Sequence, residues 1–252
     1  MPPRLAPPQT TQIDRAVGVF ETMLVSDSRI VELDVHLARL AASTDYLYGA
    51  RAPGLRELVT AATPTGLARL RLTVRPTDDR GELDVDVRSF PIDRNMVLPG
   101  PELGPSLQTC VVEAGLGGHK WADRSALQQI EDSGPVGSVP LLVLDDGSVL
   151  EAARGNIVAV SAKTLITPPL DGRILPGIAR ARVLELADEA GLPVREQTLR
   201  LDELLAADEV FLTGSIRGVE PVVKVDDREL SVPRDGVTAI LSAALRRRWQ
   251  LR

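Results

Sequence analysis

Apolar residues in this chain come in short runs, each closed by turn formers, and that rhythm restricts the fold more than any other feature. AVGVFETMLV (16–25) reads as a strand that turns at Ser26–Ser28 into a second, Arg29–Glu32. Residues 67–75 (LARLRLTVR) alternate strictly from Leu70, as do 82–88 (ELDVDVR), and TDDRG between them makes a hairpin with one wet face. More short strands are expected at 108–113, 139–144, 148–151, 156–160 and 164–167. DEVFLTGSIRGVEPVVKV reads as strand, Gly-Ser turn and strand. Helices are predicted from an Asp34 N-cap to Gly49, over Leu55–Ala62, near Ala122–Ile130, from Gly177–Ile178 to Gly191, and over the basic-ended tail Asp235–Trp249. Many short strands with few helices argue a mixed α/β (α+β) chain in two lobes. The expected boundaries are a flexible lead-in at 1–15, a small α/β lobe at 16–90, a proline-punctuated linker at 91–106 and a larger lobe at 107–252.

Composition narrows the class of function. Among 252 residues, 35 acids against 29 bases give a net charge of -6, which disfavours nucleic acid or an anionic membrane as partner. Aromatic residues are only 3% of the chain, so the core must come from Leu, Val, Ile and Ala, and a base-stacking platform is not expected. Cys110 is the single cysteine, which excludes an internal disulfide and fits a reducing cytoplasm. The opening MPPRLAPPQTTQ lacks the apolar stretch of a signal peptide, and no run approaches the ~20 apolar residues of a membrane span. No metal site is expected.

Three pieces of the chain suit an anion such as a phosphate monoester. Gly177, Ile178 and Ala179 open a helix, where N–H groups are unpaired and partly positive. Thr213–Gly214–Ser215 is a hydroxyl-glycine-hydroxyl turn leaving a buried strand, and Arg39 is a cation on a helix flank. Taken singly, each has an ordinary reading as loop, turn or solvated charge. Lys120 differs by context: glycines 115, 117 and 118 precede it and allow close backbone approach, and a helix follows. A lysine with a depressed pKa is a nucleophile suited to imine chemistry. Glu151 lies at the end of an apolar strand, before Ala152 and Ala153.

In order, the chain carries GVFET (18–22), HLAR (36–39), HK (119–120), EAARGNI (151–157), TPPLDGRILPGIAR (167–180), EVFLTGS (209–215) and RGVEPV (217–222). This ordered set resembles the class IV, fold-type IV pyridoxal phosphate (PLP) enzymes: branched-chain and D-amino-acid aminotransferases and 4-amino-4-deoxychorismate lyases. The resemblance spans roughly 16–226. It implies a small α/β lobe and a larger β-barrel-like lobe with the cofactor, pyridoxal 5′-phosphate, between them, in a homodimer. It also implies Lys120 as the Schiff-base lysine and Glu151 as partner of the pyridine nitrogen. Arg39, Gly177, Ile178, Ala179, Thr213, Gly214 and Ser215 would hold the phosphate. Ala179 departs from the threonine usual there, and the family's first strand is expected to be absent or replaced by the proline-rich lead-in.

Within the family, Thr22 after Glu21 departs from the branched-chain pattern, and the hairpin VRPTDDRGELDV has no histidine for the D-amino-acid pattern. Arg75 with Arg80–Gly81, KWADR and RGVEPV resemble the lyase of folate biosynthesis. That resemblance implies release of pyruvate and formation of 4-aminobenzoate, in which the substrate amine would displace Lys120 and the freed Lys120 amine would remove the proton at ring C4. The substrate is anionic, so Arg75, Arg80, Arg124 and Arg217 are candidates to meet its carboxylates. The alternative is an aminotransferase using the same set of residues on branched-chain or D-amino acids. A non-catalytic PLP-binding protein is a third reading, against which the pairing of Lys120 with Glu151 argues.

Overall fold

A computed structural model describes residues 13–77 and 82–251. Its chain divides into two units: a smaller one, running up to Met96 and joined by His119–Arg124, and a larger one of Val97–Gly118 with Ser125 onward.

The smaller unit begins with β1 (Val19–Ser26), β2 (Arg29–Ile30), α1 (Leu33–Tyr48), α2 (Leu55–Ala61), β3 (Ala68–Pro76) and β4 (Leu83–Pro91). These strands form one antiparallel sheet in the order β2-β1-β3-β4. Strict alternation in β3 sets its faces: Ala68, Leu70, Leu72 and Val74 are buried with Val19, Met23 and Val25 of β1, Leu40 of α1 and Val59 of α2. Arg69, Arg71, Thr73 and Arg75 take the opposite face. Gly49 closes α1 at φ 62 as read. The helix starts earlier than the Asp34 N-cap predicts. Glu32, at φ 56, precedes Leu33, and Asp34 lies in the first turn, where an acid suits the dipole.

In the larger unit come β5 (Ser106–Val111), α3 (Ser125–Ser133), β6 (Val139–Val143), β7 (Ser148–Ala152), β8 (Asn156–Ser161), β9 (Thr164–Thr167) and α4 (Ile178–Glu189). They are followed by β10 (Val194–Glu196), β11 (Leu199–Arg200), α5 (Leu201–Ala206), β12 (Glu209–Gly214), β13 (Gly218–Pro221), β14 (Lys224–Val225), β15 (Arg228–Glu229) and α6 (Val237–Arg248). Two sheets result, ordered β10-β9-β8-β12-β13 and β11-β7-β6-β5-β14-β15. One aliphatic core joins them, with Cys110, Leu141, Leu150, Ile157, Ala159 and Leu212 among its members. The mixed α/β class and the two-sheet lobe match the fold-type IV expectation. Among the described residues, no helix is long and apolar enough to cross a membrane, and no group of three His, Cys, Asp or Glu is placed to hold a metal.

The largest departure from the sequence reading lies before α3, which begins at Ser125 rather than near Ala122. Residues 120–122 instead run antiparallel to the start of β1. Phe20 N–H donates to Lys120 O (2.9 Å), Ala122 N–H donates to Gly18 O (2.9 Å), and Val19 bridges Trp121. The lysine therefore sits beside the edge of β1, and the helix expected to follow it directly begins only at Ser125.

Candidate active site

In the smaller unit, the two faces of β1 carry two different sets of polar groups. Glu21 points toward α1 and is 1% exposed. Its carboxylate accepts from Arg39 Nε and Nη2, both at 2.7 Å, and His36 Nδ1 lies 2.6 Å away. Burial pushes the Glu21 carboxyl up, but the hydrogen bonds and charge of His36 and Arg39 outweigh it and leave the group at about 2. Arg39 is thus held in place by a buried acid, which explains its being on a helix flank.

On the opposite face, Phe20 is a platform for two cations. Lys120 Nζ lies 4.9 Å from its ring centroid and Arg71 Cζ 3.9 Å. Burial lowers the Arg71 pKa first, and repulsion from Arg124 and Arg69 adds to it, against a weaker pull from Asp86. Arg124, itself half-buried, supplies the larger share of that repulsion. Arg75 is exposed and bonded to its cross-strand partner Asp84, Nε to Oδ2 at 2.8 Å. Arg80 lies outside the described residues.

The lysine segment is also pinned through its neighbour. His119 Nδ1 is 3.0 Å from Ser43 Oγ of α1, and its ring stacks on Tyr46 (5.3 Å between centroids) and meets Trp121 edge-on (5.4 Å). Burial and the Arg15 charge lower the His119 pKa, which favours the neutral ring.

The larger unit holds the other candidates. Glu151, on β7, is 7% exposed. Leu175 N–H donates to both its oxygens (3.3 and 3.4 Å), and Asn156 Nδ2 reaches Oε2 at 3.4 Å. Asn156 Nδ2 also donates to Leu175 O at 2.8 Å, so one amide fixes the acid and the loop that leads into α4. Gly177 precedes α4 with no side-chain cap, leaving first-turn N–H groups for an outside acceptor. A Cβ at Gly177 would fall 1.9 Å from Asn156 Oδ1, so only glycine permits this approach. Ile178 and Ala179 are buried in the first turn.

β8 and β12 pair so that Thr213 lies opposite Asn156. Thr213 Oγ1 is buried without a hydrogen-bond partner, an arrangement that costs about 1–3 kcal/mol unless a ligand takes the hydroxyl. Gly214 ends β12, and Ser215 is half-buried in the following turn. Arg217 donates from Nη1 to Glu220 Oε1 at 2.9 Å. The larger unit thus brings together Glu151, the opening of α4 by way of Asn156, and Thr213. An orphaned hydroxyl and an uncapped helix start fit a phosphate, and a buried acid fits a protonated ring nitrogen.

Sequence reasoning missed Glu21, His36, Arg71, His119 and Asn156 as parts of these sets. The motifs GVFET, HLAR, HK and EAARGNI contained four of them. The only signal for Arg71 was its place on the wet face of a strictly alternating strand.

Residues 18–225 match the family of amino-transferase class IV. The branched-chain-amino-acid aminotransferases of Salmonella typhimurium and Escherichia coli K12 are 40% identical over 91 residues, 36% of this chain and 29% of each relative. That match spans less than a third of the curated relatives' length. Among solved structures, a hypothetical aminotransferase from Mycobacterium tuberculosis in PLP-bound form aligns with TM-score 0.78 and 23% identity, over 94% of both chains. The 4-amino-4-deoxychorismate lyase of Pseudomonas aeruginosa aligns with TM-score 0.75 and 25% identity, over 91% of this chain and 90% of that one.

Proposed function

Because the chain belongs to the amino-transferase class IV family, whose cofactor is pyridoxal 5′-phosphate, we propose that it is a PLP-dependent lyase acting on 4-amino-4-deoxychorismate. The observation that carries this reading is the pair of cations on Phe20, Lys120 at 4.9 Å and Arg71 at 3.9 Å, with Arg124 adding positive charge. An arginine-rich face suits a dicarboxylate, whereas a branched aliphatic side chain calls for apolar walls. When bound, PLP supplies an electron sink for charge at the carbon bearing the amine.

The chain's own residues do the rest. Lys120 would hold the cofactor through its amine, and the same amine is the base that would take the proton from the substrate's ring C4. Glu151 would keep a proton on the pyridine nitrogen. Thr213 and Ser215 hydroxyls and the N–H groups of Ile178 and Ala179 would hold the phosphate, with Gly177 and Gly214 leaving room, and Arg39, fixed by Glu21, would add a cation. Arg71 and Arg124 orient the substrate carboxylate. The assembly is a homodimer, as is usual in the family.

The deciding assay incubates the PLP-loaded protein with 4-amino-4-deoxychorismate and scores 4-aminobenzoate and pyruvate. Equimolar release of both supports the lyase, and no release rejects it. The similarity to branched-chain aminotransferases favours a second reading, transamination. An amino donor supplied without keto acid would then convert the cofactor stoichiometrically to its amine form, and a lyase would leave it largely unchanged.

The orphaned hydroxyl gives a prediction with effects of opposite sign. Thr213→Val keeps the shape and removes a buried unsatisfied group, so the apo protein should be as stable as wild type or more stable, by about 1 kcal/mol. Affinity for PLP should fall about tenfold, the loss of a hydrogen bond of about 1.5 kcal/mol to a charged group. Denaturant unfolding and PLP titration check the two halves separately.

A further inference from the structure

In the larger unit, two arginines that arrive from different turns converge on a single oxygen. Arg154 follows β7 in the tight turn closed by mutual N–H···O bonds between Ala152 and Gly155. Arg217 lies in the turn between β12 and β13. Arg154 Nη2 donates to Glu220 Oε1 at 2.6 Å and Arg217 Nη1 to the same oxygen at 2.9 Å. The Glu220 side chain is 3% exposed, while those of Arg154 and Arg217 are 34% and 25% exposed. The acid is therefore the fixed floor, and the two guanidiniums form a rim that water still reaches.

This arrangement is short of negative charge and long on donors. Each guanidinium carries five N–H groups, and among the described residues each spends one on Glu220. Burial lowers the Arg154 pKa, the attraction of Glu220 opposes this, and repulsion from Arg217 adds to it, with Glu131 a weaker pull. Two like charges held against each other over one carboxylate are relieved by a second anion. The turns that carry them flank the β8–β12 pairing at Asn156 and Thr213, beside the groups assigned above to the cofactor.

We propose that Arg154 and Arg217, fixed by Glu220, form a carboxylate-binding cradle that selects substrates bearing a second acidic group. Planar forks match a planar carboxylate by parallel N–H···O bonds, which a lysine at either position does not reproduce. The inference rests on the enzyme reading above for the identity of the substrate, an amino compound with two carboxylates. The cradle takes one of these carboxylates.

The test uses the PLP-loaded full chain, with benzoate as the carboxylate probe and benzamide as its neutral counterpart, both titrated by calorimetry. Wild type should bind benzoate and not benzamide. Arg154→Gln and Arg217→Gln should each weaken benzoate about ten- to a hundredfold, and Arg217→Lys should rescue only part of the loss. PLP loading, read from the visible band of the same samples, should stay at wild-type level in all three. Unchanged benzoate affinity in both glutamine variants overturns the cradle, as does benzamide binding as well as benzoate. So does a loss that falls on PLP loading, which would make the pair a phosphate site instead. If wild type takes up no PLP, the enzyme reading fails, while the contrast between benzoate and benzamide still reports on the arginines.

Discussion

Lys120→Ala should give a folded protein that takes up PLP without the visible band of the lysine-bound cofactor and turns over at least about 10²- to 10⁴-fold more slowly, the range contributed by a positioned proton-transfer group. The fold should survive because backbone atoms hold this segment to β1: Lys120 O accepts from Phe20 N–H and Ala122 N–H donates to Gly18 O. What the side chain adds to stability includes its place over the Phe20 ring, about 0.5–1 kcal/mol at a partly exposed site. A melting profile near wild type with the band and the activity both gone is the expected result. Should the variant keep the wild-type spectrum, Lys120 is not the covalent anchor. A primary amine such as methylamine should restore part of the rate, because it replaces the missing base and leaves the surrounding cations in place. Failure of that rescue, with the band still absent, would limit Lys120 to holding the cofactor.

How much of this was legible in the sequence depends on the range of the interaction. Alternation in 67–75 and 82–88 gave the hairpin because period two is a local property, and the same pattern put Arg69, Arg71 and Arg75 on one face. Gly49 and the Gly177 start were readable because caps are local as well. The position of Lys120 was not. Residues 120–122 pair with β1 about a hundred positions earlier, and nothing in GGHKWAD signals that partner. The same limit hid the strands at Val194–Glu196 and Leu199–Arg200 and the helix at Leu201–Ala206, which are too short to show a period. Single residues within the motifs stayed ambiguous until their partners were known. Glu21 is one apolar-strand acid among several until His36 and Arg39 close on it, and Arg217 gains meaning only when Arg154 reaches the same oxygen of Glu220.

Glu21 supplies the largest effect expected on stability. Its folded-state pKa of about 2 lies below the unfolded value of 4.5, so the unfolded chain binds a proton over that interval and the folded chain does not. The contribution is therefore complete above pH 4.5 and is lost as pH falls through about 2; at 1.36 kcal/mol per unit it amounts to about 3 kcal/mol. Glu21→Gln removes the charge and leaves Arg39 and His36 facing a neutral group in a 1% exposed position. Breaking a buried pair in this way costs about 3–5 kcal/mol. In denaturant titrations the gap between wild type and variant should be full at pH 7 and should narrow measurably by pH 3. A gap below about 1 kcal/mol, or one of the same size at both values, would show that the triad contributes little. The functional consequence separates positioning from mere stability. If Glu21 serves to aim Arg39 at the phosphate, Glu21→Gln should weaken PLP binding at temperatures where the variant is fully folded, and Arg39→Gln should weaken it as much. The double variant should then be no worse than either single one, since residues that act through the same contact do not lose it twice.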